Sequence, residues 1–382
     1  MSAILTLNAG SSSIKFGVYV AGADPQALID GQVENLGEAA LLEIGETEIA
    51  IGAADHAVAV AAILRAIEPV LDGRRVEVVG HRVVHGGTGF SAPVHLDDAA
   101  IAELEGLIPL APLHQPHNLA GVHAARAAFP EAIQVACFDT AFHHNRPFVA
   151  DAFALPRRFY EAGVRRYGFH GLSYDYIAGV LRRDYPDLHK GRVVVAHLGN
   201  GASMCAMEGG RSVGSSMGFS ALDGLPMGTR CGQIDPGVLL YLMDQGMDIE
   251  EMTTLLYKES GLKGLSGLTH DMRTLLASDD PHAVQALDYY TFRIRRELGA
   301  MAAVLGGVDA MVFTGGVGEN AAPIRTRVLE KTGFLGLAVD AEANARNARE
   351  IGAGPTPVLV IGTDEERVIA RVANSWLRRH RM

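Results

Sequence analysis

The chain has 382 residues, 48% of them apolar, and a formal net charge of −11. This length allows two or three domains with substantial cores, and the negative charge argues against nucleic acid as the main partner. Three cysteines without a C-x-x-C pair argue against a disulfide framework or a zinc cage. No basic leader segment and no apolar run of membrane-spanning length occur, so we expect a cytoplasmic protein that does not enter a membrane.

Strand-like and helix-like segments alternate along the chain, which favours an α/β fold. The predicted strands, in chain order, are 3–8, 14–20, 76–85, 132–138, 192–198, 202–207, 308–314 and 357–362. The predicted helices include 56–71, 97–107, 116–128, 173–184, 235–246, 282–305, 320–331 and 364–379. The helix at 282–305 has the clearest apolar stripe, with steps of three, four and seven residues.

The first two predicted strands are joined by an unusual turn. In the segment LTLNAGSSSIKFGVYV, residues 5–20, an asparagine, small residues and Lys15 lie between two apolar runs. The segment VVVAHLGNGASMCA, residues 193–206, has the same pattern, with Asn200, Gly201 and Ser203 between two apolar runs. Small residues let backbone N–H groups approach a phosphate closely. The occurrence of two such turns therefore favours phosphate binding over the alternative that both turns are purely structural. The repetition also suggests two similar domains. No Gly-Lys pair occurs, which excludes a Walker A loop.

A third glycine-rich stretch, FTGGVGENA at residues 313–321, follows a predicted strand and precedes a predicted helix. Gly316 and Gly318 allow a nucleotide to approach the start of that helix. The stretch also half-matches a dinucleotide fingerprint, with Ala321 in the third glycine position and Asp340 at about the expected distance. An NAD-dependent oxidoreductase is therefore an open alternative.

Several charged residues lie where chemistry is expected. Arg82 falls inside an apolar strand and Arg230 in a glycine-flanked loop, and a guanidinium near a cleft is a natural partner for carboxylate or phosphate. Asp139 follows a strand, where α/β enzymes tend to keep their chemistry. The acidic run GTDEE, residues 362–366, opens the last helix and suits either a helix cap or a hydrated Mg²⁺. Spacing alone does not single out His170.

These motifs, taken together, resemble those of the acetokinase family. The resemblance is carried from residue 4 to residue 366, in order, by NAGSSSIKF, HRVVHGG, FDTAFH, RYGFHG, HLGNGAS, SMGFSALDGLPMGTRCG, FTGGVGEN and TDEE. It implies an α/β protein with two ribonuclease-H-like domains, the actin-like ATPase fold, that face each other across a nucleotide-binding cleft. The expected acyl-substrate and phosphate domain comprises 1–145 and 366–382, and the expected nucleotide-binding domain comprises 146–365.

The resemblance also implies an activity, namely reversible phosphoryl transfer from ATP to acetate, which gives ADP and acetyl phosphate. It implies Mg²⁺ as the cofactor, with Mn²⁺ as a possible substitute, and a homodimer. Propionate kinases share most of these motifs, so propionate is an open alternative substrate. A non-catalytic nucleotide-binding protein of the actin or chaperone type is a further alternative, although it leaves Arg82 unexplained.

The resemblance assigns roles to residues in four groups. The catalytic residues are expected to be Asp139, His170 and Arg230. The substrate site is expected to contain Arg82 and the apolar residues Val84, Leu113, Phe169 and Ala221. The nucleotide contacts are expected to be Ser11, Ser13, Lys15, His197, Leu198, Gly199, Asn200, Gly201, Asp271, Met272, Arg273, Gly316, Val317, Gly318, Glu319 and Asn320. The metal-associated pair is expected to be Asn8 and Glu365.

Two points qualify these roles. The family usually has proline where this chain has Ala221, and a methyl group in place of a ring would enlarge the pocket for the substrate's alkyl end. A simple carboxylic acid titrates near pH ~4–5, as carboxyl side chains do, so at neutral pH it has no proton for a base to remove. We therefore expect Asp139 to orient an arginine or a metal-bound water.

Overall fold

The computed structural model describes residues 2–10 and 12–381. The chain divides into two compact units, Met1–Phe142 with Asp364–Met382, and His143–Thr363. These bounds lie a few residues before those expected from the resemblance. The difference at the second bound arises because the last helix begins at Glu365 and packs entirely within the first unit.

The strands and helices are numbered in chain order. The strands are β1 (Ser2–Ala9), β2 (Ile14–Val20), β3 (Gln26–Glu34), β4 (Gly37–Ile44), β5 (Thr47–Ala54), β6 (Arg75–Val83), β7 (Val94–His95), β8 (Ile133–Phe138), β9 (Arg192–Leu198), β10 (Ala202–Glu208), β11 (Arg211–Ser215), β12 (Ala310–Thr314) and β13 (Val358–Val360). The helices are α1 (His56–Leu71), α2 (Asp98–Gly106), α3 (Gln115–Ala128), α4 (Phe148–Asp151), α5 (Arg157–Glu161), α6 (Gly171–Asp184), α7 (Pro186–Lys190), α8 (Pro236–Asp244), α9 (Ile249–Thr254), α10 (Gly261–Ser266), α11 (Met272–Leu276), α12 (Pro281–Leu305), α13 (Gly315–Asn320), α14 (Ala322–Leu329), α15 (Ala341–Ala345) and α16 (Glu365–His380).

The first unit is built on an eight-stranded sheet in the order β5-β4-β3-β2-β1-β6-β8-β7. Strands β1, β6 and β8 are parallel neighbours, whereas β1 to β5 run antiparallel. Apolar residues of α1 and α3 fill one side of the sheet, and α16 packs against β1, β6 and β8 with Ala370, Ala373 and Leu377. Both faces are covered there, as a sheet with parallel strands requires.

The second unit repeats this plan in a five-stranded sheet, β11-β10-β9-β12-β13. Strands β9 to β11 are antiparallel, and β12 and β13 join β9 in parallel, as β6 and β8 join β1. The stripe predicted for α12 is buried, from Leu287 to Leu305. The α/β class and the two ribonuclease-H-like units predicted from the sequence are confirmed.

The structure also differs from the predicted elements. Strands β3, β4 and β5 were not predicted, because they are rich in Ala, Gly and Glu, and much of their surface is exposed. The predicted helix 320–331 corresponds to α14, which begins at Ala322. A further short helix, α13, starts directly after β12, in the glycine-rich stretch where no helix was predicted. None of the helices in the described residues is both long and apolar enough to cross a bilayer.

Candidate active site

Three polar residues meet at one edge of the first sheet. Asn8 lies near the end of β1, Arg82 near the end of β6, and Asp139 directly after β8. Because these strands are parallel neighbours, their carboxyl ends reach the same edge, where α/β proteins place their ligands.

Arg82 and Asp139 form a two-armed ion pair. The Nε atom of Arg82 donates to Oδ1 of Asp139 at 2.9 Å, and Nη2 donates to Oδ2 at 2.5 Å. The Nη1 atom donates to Oδ1 of Asn8 at 3.0 Å. Asp139 is buried, and its backbone N–H donates to the carbonyl of Val83. Burial alone would lower the pKa of Arg82, but the charge of Asp139 and the hydrogen bonds to it raise that pKa above its ordinary value.

Glu365 opens α16, and its carboxylate is influenced by the charges of this pair. The side chain of Asp364 caps the helix by accepting from the backbone N–H of Arg367 at 2.9 Å. Loss of hydration, together with the negative charge of Asp139, raises the pKa of Glu365 to about 7, although Arg82 opposes the shift. The first unit therefore brings Asn8, Arg82, Asp139 and Glu365 together.

The β1–β2 turn extends this edge. Lys15 lies opposite Asn8 in the antiparallel ladder, so the two side chains share one face of the sheet. The turn is closed by the backbone N–H of Gly10, which donates to the carbonyl of Ser13 at 2.7 Å. Ser11, a predicted phosphate contact, lies outside the described residues.

The second unit places its predicted catalytic groups around the β9–β10 turn. His170 precedes α6 in the left-handed region, with φ 57°, a conformation that costs free energy in a non-glycine residue. Its Nδ1 atom is 2.8 Å from Oγ of Ser203, and its ring stacks on that of His197 with centroids 4.2 Å apart. Oγ of Ser173 in turn is 2.8 Å from Nδ1 of His197. These contacts fix the orientation of both imidazoles.

Arg230 reaches the same turn. Its Nη1 atom donates to the carbonyl of Ala221 at 2.9 Å. A Cβ atom at Gly201 would lie 3.2 Å from Nε2 of His170 and 3.9 Å from Nη1 of Arg230. Gly201 therefore lies next to both catalytic candidates, and the absence of a side chain lets the His170 ring lie close to its backbone.

The second unit also contains a cavity of about 670 Å³ next to the β9–β10 turn. Its lining includes half of the expected nucleotide contacts, namely Gly199, Asn200, Asp271, Met272, Arg273, Gly316, Val317 and Asn320. Further lining residues from α10, α11 and α14 are apolar, including Leu262, Leu276 and Pro323. A mainly apolar pocket with a few polar groups is typical of small-molecule sites.

The remaining expected nucleotide contacts do not line this cavity. His197 and Leu198 end β9, and Gly201 follows in the turn. Glu319 has a structural role, because its Oε1 atom accepts from the backbone N–H of Gly315 at 2.9 Å and of Thr363 at 3.2 Å. Gly318 is buried in α13.

The four apolar residues expected around the substrate are divided between the units. Val84 is buried and Leu113 is half-buried in the first unit, whereas Phe169 is buried and Ala221 half-buried in the second. Their assembly into one pocket remains a prediction.

Sequence reasoning missed two buried supporting residues. Asn118 on α3 donates to the carbonyl of Ala9, next to Asn8, and accepts from the backbone N–H of Val84, two residues after Arg82. Arg325 on α14 is fully buried and donates to the carbonyls of Gly318 and Glu319. Neither residue lies in a motif with recognisable chemistry, so the sequence offered no signal for them beyond a polar residue on an amphipathic helix.

Two similar sheets, each with a polar turn between its first two strands, define the fold class of the acetate and sugar kinase/actin superfamily. The chain belongs to the acetokinase family, whose model matches residues 3–371. It is 55% identical to an acetate kinase from Methylocella silvestris, with 96% of each chain covered, and 51% identical to one from Rhodopseudomonas palustris, again with 96% covered.

Solved structures agree with this placement. The fold matches Porphyromonas gingivalis acetate kinase with a TM-score of 0.89 at 38% identity, covering 99% of this chain and 100% of the other. It matches a Francisella tularensis propionate kinase with a TM-score of 0.91 at 35% identity, covering 98% and 100%. Membership of this family does not support the alternative of an NAD-dependent oxidoreductase. Asp340, the acidic residue on which that alternative depended, instead caps α15 by accepting from the backbone N–H of Ala343.

Proposed function

We propose that this protein is an acetate kinase, which transfers the γ-phosphoryl group of ATP to acetate and forms acetyl phosphate and ADP reversibly. Membership of the acetokinase family supports the reaction. The observation that carries the proposal within this chain is the pairing of Arg82 with Asp139 beside Asn8. This pairing holds a guanidinium, the natural partner of a carboxylate, at the edge of the sheet where a small-residue turn begins.

Arg82 would bind the carboxylate of acetate. A guanidinium carries five N–H groups, and the bonds to Asp139 and Asn8 use Nε and one hydrogen on each Nη atom. A second hydrogen on each Nη atom is then available to the substrate. Since both oxygens of Asp139 accept from Arg82, and acetate is already ionised at neutral pH, Asp139 orients the arginine and does not remove a proton.

His170 and Arg230 would supply hydrogen-bond donors to the transferring phosphoryl group. Phosphoryl transfer depends mainly on positioning and on stabilising charge at the equatorial oxygens. The bond to Ser203 and the stacking on His197 support this role, because they fix the His170 ring before substrate arrives. Fixed donors of this kind cost no reorganisation during the reaction.

The cavity in the second unit would hold the nucleotide. Its apolar residues suit an adenine base, and the backbone of Gly199 and Asn200 suits the phosphates. We assign ATP and ADP to this cavity, with the expected contacts from α11 and α13. Lys15 and the β1–β2 turn of the first unit remain predicted phosphate contacts.

The acidic end of α16 is suited to Mg²⁺, with Mn²⁺ as a substitute. Burial, and then the negative charges of Asp139 and Glu366, raise the pKa of Glu365, so a bound cation would stabilise its ionised form. Glu365 and Asn8 would hold the ion with the phosphates of the substrate, since Mg²⁺ needs only one or two protein carboxylates. The ion would neutralise charge on the phosphates.

Propionate is the second candidate substrate. Ala221 presents only a methyl group where the family usually has proline, and the fold closely matches a propionate kinase. Hydrophobic pockets discriminate one methylene by only ~1–3 kcal/mol, so both acids are expected to react.

We also assign a homodimer to this protein, formed through α8. This helix is strongly apolar, yet none of its residues is buried in the single chain. Leu240, Tyr241 and Met243 are 58–69% exposed. Arg293 on α12 donates to the side chain of Gln233, just before α8, at 2.8 Å, so α12 lies beside the start of this helix. An apolar patch of this kind is typical of an interface, and a second copy would cover it symmetrically.

Sedimentation should give a dimer for the native chain and a monomer for Leu240→Glu; a native monomer at micromolar concentration would refute the assignment.

The activity is tested with a hydroxamate assay for acyl phosphate, using formate, acetate, propionate and butyrate with MgATP. We expect hydroxamate from acetate and from propionate, with a decline for butyrate. Acyl phosphate from propionate at far higher kcat/KM than from acetate would assign the second candidate. ATP hydrolysis that is independent of the acid would overturn the kinase proposal.

A further inference from the structure

The amide of Asn118 lies between the ends of β1 and β6. The parallel ladder of these two strands ends at Leu7 and His81. Beyond that point, Nδ2 of Asn118 donates to the carbonyl of Ala9 at 2.5 Å, and its Oδ1 accepts from the backbone N–H of Val84 at 2.8 Å. One buried amide therefore replaces the next bonds of the ladder.

The same face of α3 contacts this gap at three successive turns. Gln115, one turn before Asn118, accepts from the backbone N–H of His85 at 3.3 Å and donates to its carbonyl at 3.1 Å. Gly121, one turn after, has no side chain, and a Cβ atom there would lie only 2.7 Å from Cβ of Ala9. The spacing of three residues places all three on one face of the helix.

The residues that this face holds are the neighbours of the proposed site. Ala9 follows Asn8, and Val84 lies two residues after Arg82. Since Nη1 of Arg82 donates to Asn8 at 3.0 Å, the separation of the two strand ends sets the position of the guanidinium. We propose that Asn118 is a positioning residue, which fixes Arg82 relative to Asn8 and thereby sets how the acid substrate is held. This inference rests on the proposed role of Arg82.

The chain offers a matched control. Asn374 on α16 is also buried, and it bonds both the N–H and the carbonyl of Gly22 in the same unit. It differs from Asn118 in that Gly22 follows the other end of the β1–β2 hairpin, away from the turn. Leucine at either position removes an amide of similar size and leaves backbone groups unpaired, which destabilises the fold.

The test compares Asn118→Leu, Gly121→Ala and Asn374→Leu by their unfolding midpoints and by steady-state kinetics. The kcat/KM for acetate is measured at saturating MgATP, and the KM for ATP is measured at saturating acetate. We expect Asn118→Leu and Gly121→Ala to lower kcat/KM for acetate by roughly 10- to 100-fold, the effect of a displacement on the order of 1 Å, with KM for ATP unchanged. Asn374→Leu should lower the unfolding midpoint and leave kcat/KM per folded molecule unchanged.

Two outcomes separate this inference from the proposed function. Suppose that Arg82→Lys is inactive while Asn118→Leu and Gly121→Ala, like Asn374→Leu, keep the native kcat/KM for acetate per folded molecule. Asn118 then has no positioning role. If Arg82→Lys keeps native kcat/KM, the role of Arg82 itself is wrong. Should Asn118→Leu not fold, Gly121→Ala decides alone, because it moves α3 away from Ala9 with the amide intact. Adding Gly121→Ala to Arg82→Lys should cause little further loss, since both changes act through one group.

Discussion

The ring of His170 fills the space beside Gly201, so that a Cβ atom at residue 201 would lie 3.2 Å from Nε2 of the imidazole. The ring is held from its other side by Ser203 and by stacking on His197. It therefore has little freedom to move if residue 201 acquires a side chain.

Gly201→Ala should displace His170 by a few tenths of an ångström and lower kcat by roughly 10-fold, because misplacement of a donor weakens stabilisation of the transition state. The unfolding midpoint should change little. Gly299→Ala on α12 is the matched control, since a Cβ atom there meets nothing within 4 Å. Equal kcat in the two variants would remove His170 from the catalytic set.

Asp139→Asn should lower kcat, because an asparagine has only one oxygen and cannot accept both arms of Arg82. If Asp139 acts through Arg82, the double variant with Arg82→Lys should be about as impaired as the worse single variant. Steady-state kinetics of the four proteins test this. If the double variant instead loses kcat by the product of the two single losses, Asp139 has a role separate from Arg82, such as that of a base. Asp98→Asn, which breaks an exposed pair with Arg126, is the control.

Arg230→Ala should lower kcat by roughly 10²- to 10³-fold, the cost of one preorganised donor to the transition state. The affinity for ATP should change little, since Arg230 does not line the nucleotide cavity. Titration with a fluorescent nucleotide measures that affinity separately from turnover. Arg211→Ala, at an exposed arginine of β11, should behave as the native enzyme.

Ala221→Pro should shift selectivity toward acetate. One additional methylene gains about 0.8 kcal/mol when it is buried, roughly a factor of four, and the proline ring would fill the space that accepts it. We expect the native enzyme to use propionate with kcat/KM within about tenfold of acetate. The ratio for the two acids, measured in both proteins, decides the point: an unchanged ratio in a well-folded variant would falsify the pocket argument. Circular dichroism melts control for strain from the proline.

Stability below neutral pH should depend on His81. Its ring is buried, with Nε2 2.8 Å from Oε1 of Gln134, and burial lowers its pKa to about 4 in the folded protein. Between pH ~6.5 and this value the unfolded chain binds a proton at His81 that the folded chain does not, so the contribution of His81 to the free energy of unfolding falls as pH falls, by about 1.4 kcal/mol per pH unit. His81→Gln should reduce that slope. His380→Gln, at an exposed position of α16, should not. Urea titrations from pH 7 to pH 4.5 measure the difference, and equal slopes in all three proteins would contradict it.

Some of this site could be predicted from the sequence because it depends on local rules. Arg82 and Asp139 lie at the ends of apolar strands, and parallel strands bring such ends together. The two turns were recognisable because small residues beside an asparagine are unusual between apolar runs. The resemblance then added roles for His170 and Arg230 that spacing alone did not supply.

Other parts depend on contacts between distant segments. Asn118 acquires its position only when α3 packs against Ala9, 109 residues earlier in the chain, and Val84. Strands β3, β4 and β5 were missed because strands with much exposed surface tolerate Ala, Gly and Glu, which have low strand propensity. Helix α13 was missed because Gly315, Gly316 and Gly318 have low helix propensity.

The proposed acetate kinase activity is tested most directly by phosphorus NMR of the purified protein with MgATP and acetate. We expect an acetyl phosphate signal that grows with that of ADP, and ATP formation when acetyl phosphate and MgADP are supplied. Both signals should be lost in Arg82→Ala and kept in Asp98→Asn. ADP formation with inorganic phosphate as the only other product, equal with and without acetate, would contradict it.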